Sequence, residues 1–179
     1  MKKIIALLLI IGTFTTSSVF AYNKNVELNT EEYINLLNTN MSELRSKIEI
    51  KEKANLGTIL LNGIEEGYII PSINNDTKLK EGITELIYNI KDVKIYNKKL
   101  QNKHDELILK LNSLTELVNS SIKCKNDILN SNDKKLVKGQ RLLQEDDKQI
   151  DIINDKIEEI NNLYKEINNF APDKRNPVL

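Results

Sequence analysis

The residues able to do chemistry in this chain are few and poorly grouped. There is one histidine, His104, and one cysteine, Cys124. A zinc site needs several converging ligands, and His104 stands in neither a His-x-x-x-His nor a Glu-x-x-His spacing. Asp147, Asp151 and Asp155 fall at steps of four, on one helix face, where they could attract a divalent cation. A calcium loop instead spaces its oxygens closely on a turn containing glycine, so a solvated acidic face is the expectation. Glu158 and Glu159 are sequence neighbours that diverge on a helix and cannot share a proton. There is no Gly-rich phosphate loop, Gly-x-Ser-x-Gly elbow or Cys–His nucleophile arrangement. The protein is therefore expected not to be an enzyme and to carry neither metal nor cofactor.

The first twenty-one residues read as an address. Lys2 and Lys3 form a positive start, Ile4 to Ile11 an apolar run, and Val19-Phe20-Ala21 ends on small residues where a signal peptidase cuts. Residues 1–21 are thus expected to be a cleavable signal peptide, with the mature chain starting at Tyr22. The apolar run is far shorter than the roughly 20 residues of a spanning helix, and no later segment reaches that length, so no transmembrane span is expected after cleavage. Without a cysteine near the cut, no thioether lipid anchor can form there. Cys124 cannot make an internal disulfide; it reads as a half-buried helix residue or a covalent dimer contact.

Composition narrows the partners. Lys and Arg number 26 against 26 Asp and Glu, and removing Lys2 and Lys3 leaves the mature chain near neutral. Phosphate recognition wants a concentrated positive face, so nucleic acid is not expected. Trp is absent and aromatics make up 5%. Long helices sharing narrow apolar seams are a better use of this composition than a large core with a carved pocket, and a single domain over 22–170 is expected.

The elements that would position any site are helices. The first is expected over about 30–55, opened by a capping box of Asn29 and Glu32. Tyr33, Leu37, Met41, Leu44 and Ile48 form its apolar stripe. A second helix is expected over 77–130, capped by Asp76 or Thr77. Along it Leu79, Ile83, Leu86, Ile90, Val93, Asn97, Leu100, His104, Leu107, Leu111, Leu114 and Val118 alternate steps of four and three, a heptad seam. Such a helix would be roughly 80 Å long at 1.5 Å per residue. Asn97 and His104 are polar at seam positions and are expected to set its register. Asn130-Ser131-Asn132-Asp133 signals a reversal. A third helix over 134–169 carries Leu136, Leu143, Ile150, Ile153, Ile157, Ile160, Tyr164 and Ile167, and residues 171–179 read as a flexible tail.

The fold expected is all-α: an elongated antiparallel helical hairpin or three-helix bundle with coiled-coil character. Lysines over 91–110 face an acidic stretch over 145–159, and a turn near 132 would set Lys110 against Asn154 and Asp155. The connector 56–76 is irregular and unusually apolar. Its Tyr68-Ile69-Ile70 cluster, between Gly67 and Pro71, either plugs one end of the bundle or is an exposed partner-contact loop.

The signal ending Ser18-Val19-Phe20-Ala21, the Lys-, Asn- and Ile-rich composition and the nearly all-helical mature chain resemble the small outer-surface proteins of Borrelia spirochaetes, including the unlipidated Rev-like group. That resemblance covers general layout, and most of the group are lipoproteins, whereas this chain has no cysteine at the expected cut. A second resemblance is to fusobacterial FadA-type adhesins, exported helical hairpins that self-associate through apolar seams; this chain is longer and adds 56–76. Both imply an exported, non-enzymatic binding protein or adhesin at the outer surface, taking a host or envelope protein such as fibronectin. The alternative is a periplasmic scaffold or holdase, similar in style to Skp chaperones. A homo-oligomer through the helical seams is compatible with either.

Overall fold

The capping box forms as expected. Asn29 Oδ1 accepts from the Glu32 backbone N–H, and Glu32 Oε2 accepts from that of Asn29, both at 3.0 Å. Two otherwise unbonded donors of the first turn are satisfied, and helix α1 runs Thr30–Lys47. The computed structural model describes residues 27–47, 63, 65–132 and 134–171. The signal peptide, the expected end of the first helix over 48–55, residues 56–62 of the connector and 172–179 of the tail lie outside the described residues.

Beyond the connector a π-helical turn, Glu65–Ile69, runs directly into α2, Ile70–Ile90, with Pro71 in its first turn. The connector was expected to be irregular as far as residue 76, and helix two to be capped by Asp76 or Thr77. Both expectations are corrected. Asp76 lies seven residues into α2 with its side chain fully buried, and the Thr77 hydroxyl donates back to Ile73 O at 2.8 Å.

The long second helix is also corrected: the chain leaves helical geometry after Ile90 and re-enters at Lys98, so α2 is followed by α3, Lys98–Asn130. Between them Lys94–Ile95 forms β2, which pairs in parallel with β1, Glu27–Leu28, in the register Glu27↔Lys94 and Leu28↔Ile95. Val93 and Ile95 point inward while Lys94 and Tyr96 stay exposed, the period of two that a strand imposes. The interruption spans 91–97, one heptad in length. Buried positions therefore keep their four-three numbering across it, although the backbone does not stay helical.

The chain reverses after Ser131, whose hydroxyl and N–H both donate to Ile128 O, at 3.0 and 3.2 Å. Helix α4, Lys135–Asn168, returns antiparallel to α3. Lys103 meets Glu166 at 2.8 Å and Lys110 meets Glu159 at 2.9 Å, seven residues forward on one helix matching seven back on the other. The attraction between the basic and acidic stretches is real, but Lys110 finds Glu159 rather than Asn154 and Asp155. The true axis of the hairpin lies past residue 132, at the start of α4. On α4, Ile153, Ile160 and Ile167 are buried as expected and Leu142 and Leu163 join them, while Tyr164 is only partly buried.

The result is an all-α bundle in which α2, α3 and α4 run up and down, and α1 lies against α2. Asn89 Nδ2 donates to Asn40 Oδ1 at 2.7 Å across that last contact. One apolar cluster threads α1 to α4 through Tyr33, Leu37, Leu86, Leu107, Leu111, Ile160 and Ile167. At 33 residues α3 is about 50 Å long, so the molecule is shorter than a continuous second helix would make it. The described apolar seam residues of α2 and α3 are buried within the one chain. Among the described residues no helix is long and apolar enough to cross a membrane.

Candidate functional site

Asn97 does not sit on a seam. It is the N-cap of α3: its backbone is extended, and its side-chain Oδ1 accepts from the N–H groups of Lys99 at 3.0 Å and Leu100 at 3.3 Å. The register-setting expectation for Asn97 is therefore corrected. Its polarity serves a helix start, and the residue is only half-buried.

His104 is in the core, as its seam position required, and it has a partner the sequence did not suggest. Tyr33 Oη and His104 Nδ1 lie 3.1 Å apart, with the rings edge to face at a centroid distance of 5.4 Å. Burial holds the imidazole below its ordinary pKa, against a smaller upward pull from Asp105. Burial, and then Asp105, push the Tyr33 phenol above its ordinary value. A neutral ring hydrogen-bonded to a neutral phenol is the form this site favours.

A second buried polar group joins α2 to α3. Lys125 Nζ lies 2.8 Å from Asp76 Oδ2, and the Ser121 hydroxyl donates to the same oxygen at 2.9 Å. Lys125 Nζ also reaches Ser121 Oγ at 3.0 Å. A serine beside a lysine has the outline of a nucleophile and its base. Here the ammonium is half of an ion pair, and all three side chains are sealed in the helix interface, so the group fixes how α2 sits on α3. The available signal was that Ser121, Lys125 and Ile128 continue the four-three steps beyond Val118.

The Tyr68-Ile69-Ile70 cluster is not an exposed loop. Tyr68 and Ile69 end the π-helical turn and Ile70 begins α2. Ile69 is fully buried with Ile128 and Leu142, with Tyr68, Ile73, Cys124 and Leu129 packed against them. Ile70 alone faces outward, at 41% exposure. Ile69 thus plugs this end of the bundle, and the expectation that Tyr68, Ile69 and Ile70 form an exposed loop is corrected. Lys138 secures the same end, its Nζ lying 3.2 Å from Glu65 Oε1 and 3.3 Å from Leu129 O. Cys124 is half-buried on α3, and its thiol donates to Glu145 Oε2 at 3.0 Å. That contact, with Arg141 as a further cause, holds the Glu145 carboxyl below its usual range.

Asp151 and Asp155 are exposed on α4, and no group of three or more His, Cys, Asp or Glu able to hold a metal occurs among the described residues. A cavity between α1 and α2, lined by Asn40, Glu43, Leu44, Gly82, Glu85 and Leu86, measures about 10 Å³ and is too small for a substrate.

What the surface does offer lies at the opposite end from the plug. Tyr88, in the last turn of α2, and Tyr96, just before α3, are 68% and 67% exposed. Lys91, Lys94, Lys98 and Lys99 stand exposed in and beside the segment that joins them, and Lys91 Nζ lies 5.7 Å from the Tyr88 ring centroid. Neither tyrosine stands out in the sequence, where both fall within the helix expected over 77–130 and off its apolar seam. The Val93-Lys94-Ile95-Tyr96 alternation was the signal that a strand-like corner would present them. Comparison with protein-family models, curated proteins and solved structures finds no match for this chain.

Proposed function

We propose that this chain is an exported binding protein that displays its helical bundle at the cell surface to a protein ligand of the host or the envelope. The observation that carries the reading is the exposed pair Tyr88 and Tyr96 at the α2–α3 corner. A large aromatic ring left in water at a rigid corner gains much when a partner covers it, and tyrosine is enriched among residues that dominate binding energy. The flanking lysines can steer an acidic partner toward that corner. The mechanism is passive: the bundle holds its shape and affinity comes from a few anchors. The layout resembles that of exported helical surface proteins, which makes an extracellular-matrix protein such as fibronectin the first ligand to try.

Two measurements test the reading. Protease shaving of intact cells, immunoblotted with a periplasmic leakage control, should remove the band. A protected band puts a periplasmic scaffold or holdase in place of the surface protein. Purified protein passed over immobilised fibronectin should bind, and Tyr88→Ser with Tyr96→Ser should weaken binding at least about tenfold with unchanged circular dichroism. Equal binding by the double variant removes the corner from the proposal.

A further inference from the structure

The pair Tyr33–His104 joins α1 to α3, and it contains the one histidine of the sequence. Tyr33 stands in the first turn of α1, immediately after the β1–β2 pairing, so whatever acts on this pair acts on how α1 is docked. Other ties of α1 include Asn40 to Asn89 of α2, Asn38 to Tyr164 of α4 at 2.6 Å, and the Arg45 guanidinium 5.2 Å from the Tyr164 ring centroid. Helix α3, by contrast, is gripped by both α2 and α4.

We propose that Tyr33–His104 is a pH-operated latch, in which protonation of His104 undocks α1 from the α2–α3–α4 unit and uncovers the apolar surface of α2 around Gly82 and Leu86. A neutral imidazole can accept the phenol O–H at Nδ1. A protonated ring cannot: both nitrogens become donors, Nδ1–H must point at the phenol oxygen, and the displaced O–H needs a new acceptor. Both residues are at most 1% exposed, so water cannot supply that acceptor without an opening.

The charges nearby do not rescue the cation. Ionisable groups on the elements packed against this layer are Glu27 on β1, Glu31, Glu32 and Tyr33 on α1, Lys94 on β2, Lys103, Asp105 and Glu106 on α3, and Lys165 and Glu166 on α4. Lys103 is tied to Glu166 at 2.8 Å. Asp105 is exposed and its Oδ1 accepts from Gln101 Nε2 at 2.8 Å. Asp105 is the charge that pulls the imidazole upward, and burial outweighs that pull. A proton on His104 thus sits in a buried site against the Tyr33 phenol, and the element that carries that phenol is α1. Leu44 of α1 and Leu86 of α2, which line the small cavity between them, would part.

Amide hydrogen exchange on the purified protein, corrected for intrinsic pH dependence, tests this at pH 7.5 and 5.0. Protection over 30–47 should fall at least about tenfold at the lower pH, while 100–118 keeps its protection. In His104→Gln, which can accept from Tyr33 but not titrate, α1 should be equally protected at both values. Equal loss over all helices, an unchanged α1 in the natural protein, or the same fall in His104→Gln would each overturn the latch. Should His104→Gln not fold, an NMR titration of the natural protein replaces it. The imidazole shift and the α1 amide shifts should move together, and an imidazole that titrates with α1 unmoved overturns the proposal.

Discussion

Lys125 on α3 places its ammonium 2.8 Å from the Asp76 carboxylate on α2, with side-chain exposures of 2% and 0%. Taking two charges out of water is costly, and the pairing recovers the cost only when geometry and extra hydrogen bonds are good. Ser121, bonded to both partners, supplies such bonds. Either Asp76→Leu or Lys125→Met alone should destabilise by about 3–5 kcal/mol, because each strands the other charge in the interior. The double substitution should cost less than either single one. Urea unfolding of the four proteins closes the cycle, and strictly additive losses would show that the two groups do not depend on each other.

Asn97 should behave as a cap and not as a core polar residue. Asn97→Ala is expected to lose about 1 kcal/mol, since the N–H groups of Lys99 and Leu100 lose their acceptor. Asn97→Asp should be neutral or slightly stabilising, because a negative charge suits a helix N-terminus. A buried heptad asparagine predicts the reverse for an apolar replacement, so Asn97→Ile separates the two: a lower melting temperature supports the cap.

Why the helix break was hidden is itself physical. Helix periodicity is read from where apolar residues fall, and an interruption seven residues long returns the pattern to phase, so Ile90, Val93 and Leu100 look like one seam. All three are indeed buried. What periodicity could not show is that Val93 gets there from a strand-like corner held by Leu28 O, which accepts from Tyr96 N–H at 3.1 Å. That bond pairs residues far apart in sequence. The capping box at Asn29, the turn at Ser131 and the inward position of His104 were legible because each depends on local chemistry or on burial alone. The phenol of Tyr33, the carboxylate of Asp76 and the exposure of Tyr88 depend on which helices become neighbours, which one sequence does not state.

His104 should make stability fall in mild acid. Burial lowers its folded pKa below the unfolded value near 6.5, so the unfolded chain binds the proton more readily. Its contribution is complete above about pH 6.5 and is lost as pH falls below that value toward the folded pKa. The urea midpoint of the natural protein should drop between pH 7.5 and 5.0, and His104→Gln should flatten that part of the curve. An equally steep variant would assign the acid sensitivity to carboxylates.

Glu159 acts lower on the pH scale. Hydrogen bonds from Lys156 at 2.8 Å and Lys110 at 2.9 Å, in that order of effect, bring its pKa down to about 2. A carboxyl with a depressed folded pKa stabilises above its unfolded value, near 4.5, and loses that contribution as pH falls toward about 2. The group is exposed, so the effect should be small and should shrink in salt. Glu159→Gln is expected to reduce the acid sensitivity between pH 4.5 and 2 at low ionic strength and to do little in 1 M salt. A difference that persists in salt would mean that the side chain packs rather than pairs.

The plug at the other end is tested by two adjacent isoleucines. Ile69 is fully buried against Ile128 and Leu142, whereas Ile70 is 41% exposed. Truncating a buried isoleucine removes its transfer free energy and leaves a cavity, so Ile69→Ala should cost about 2–5 kcal/mol. Ile70→Ala should stay within about 0.5 kcal/mol, since little packed surface is lost. A partner-contact loop would give the opposite signature, with both variants stable and ligand binding reduced in each. Denaturation midpoints and binding by the same two proteins therefore distinguish a residue that holds α2 against the α3–α4 turn from one that waits for a partner. The tenfold weakening expected of Tyr88→Ser with Tyr96→Ser, at full stability, belongs to the far end of the bundle, which makes the two ends separable by mutation.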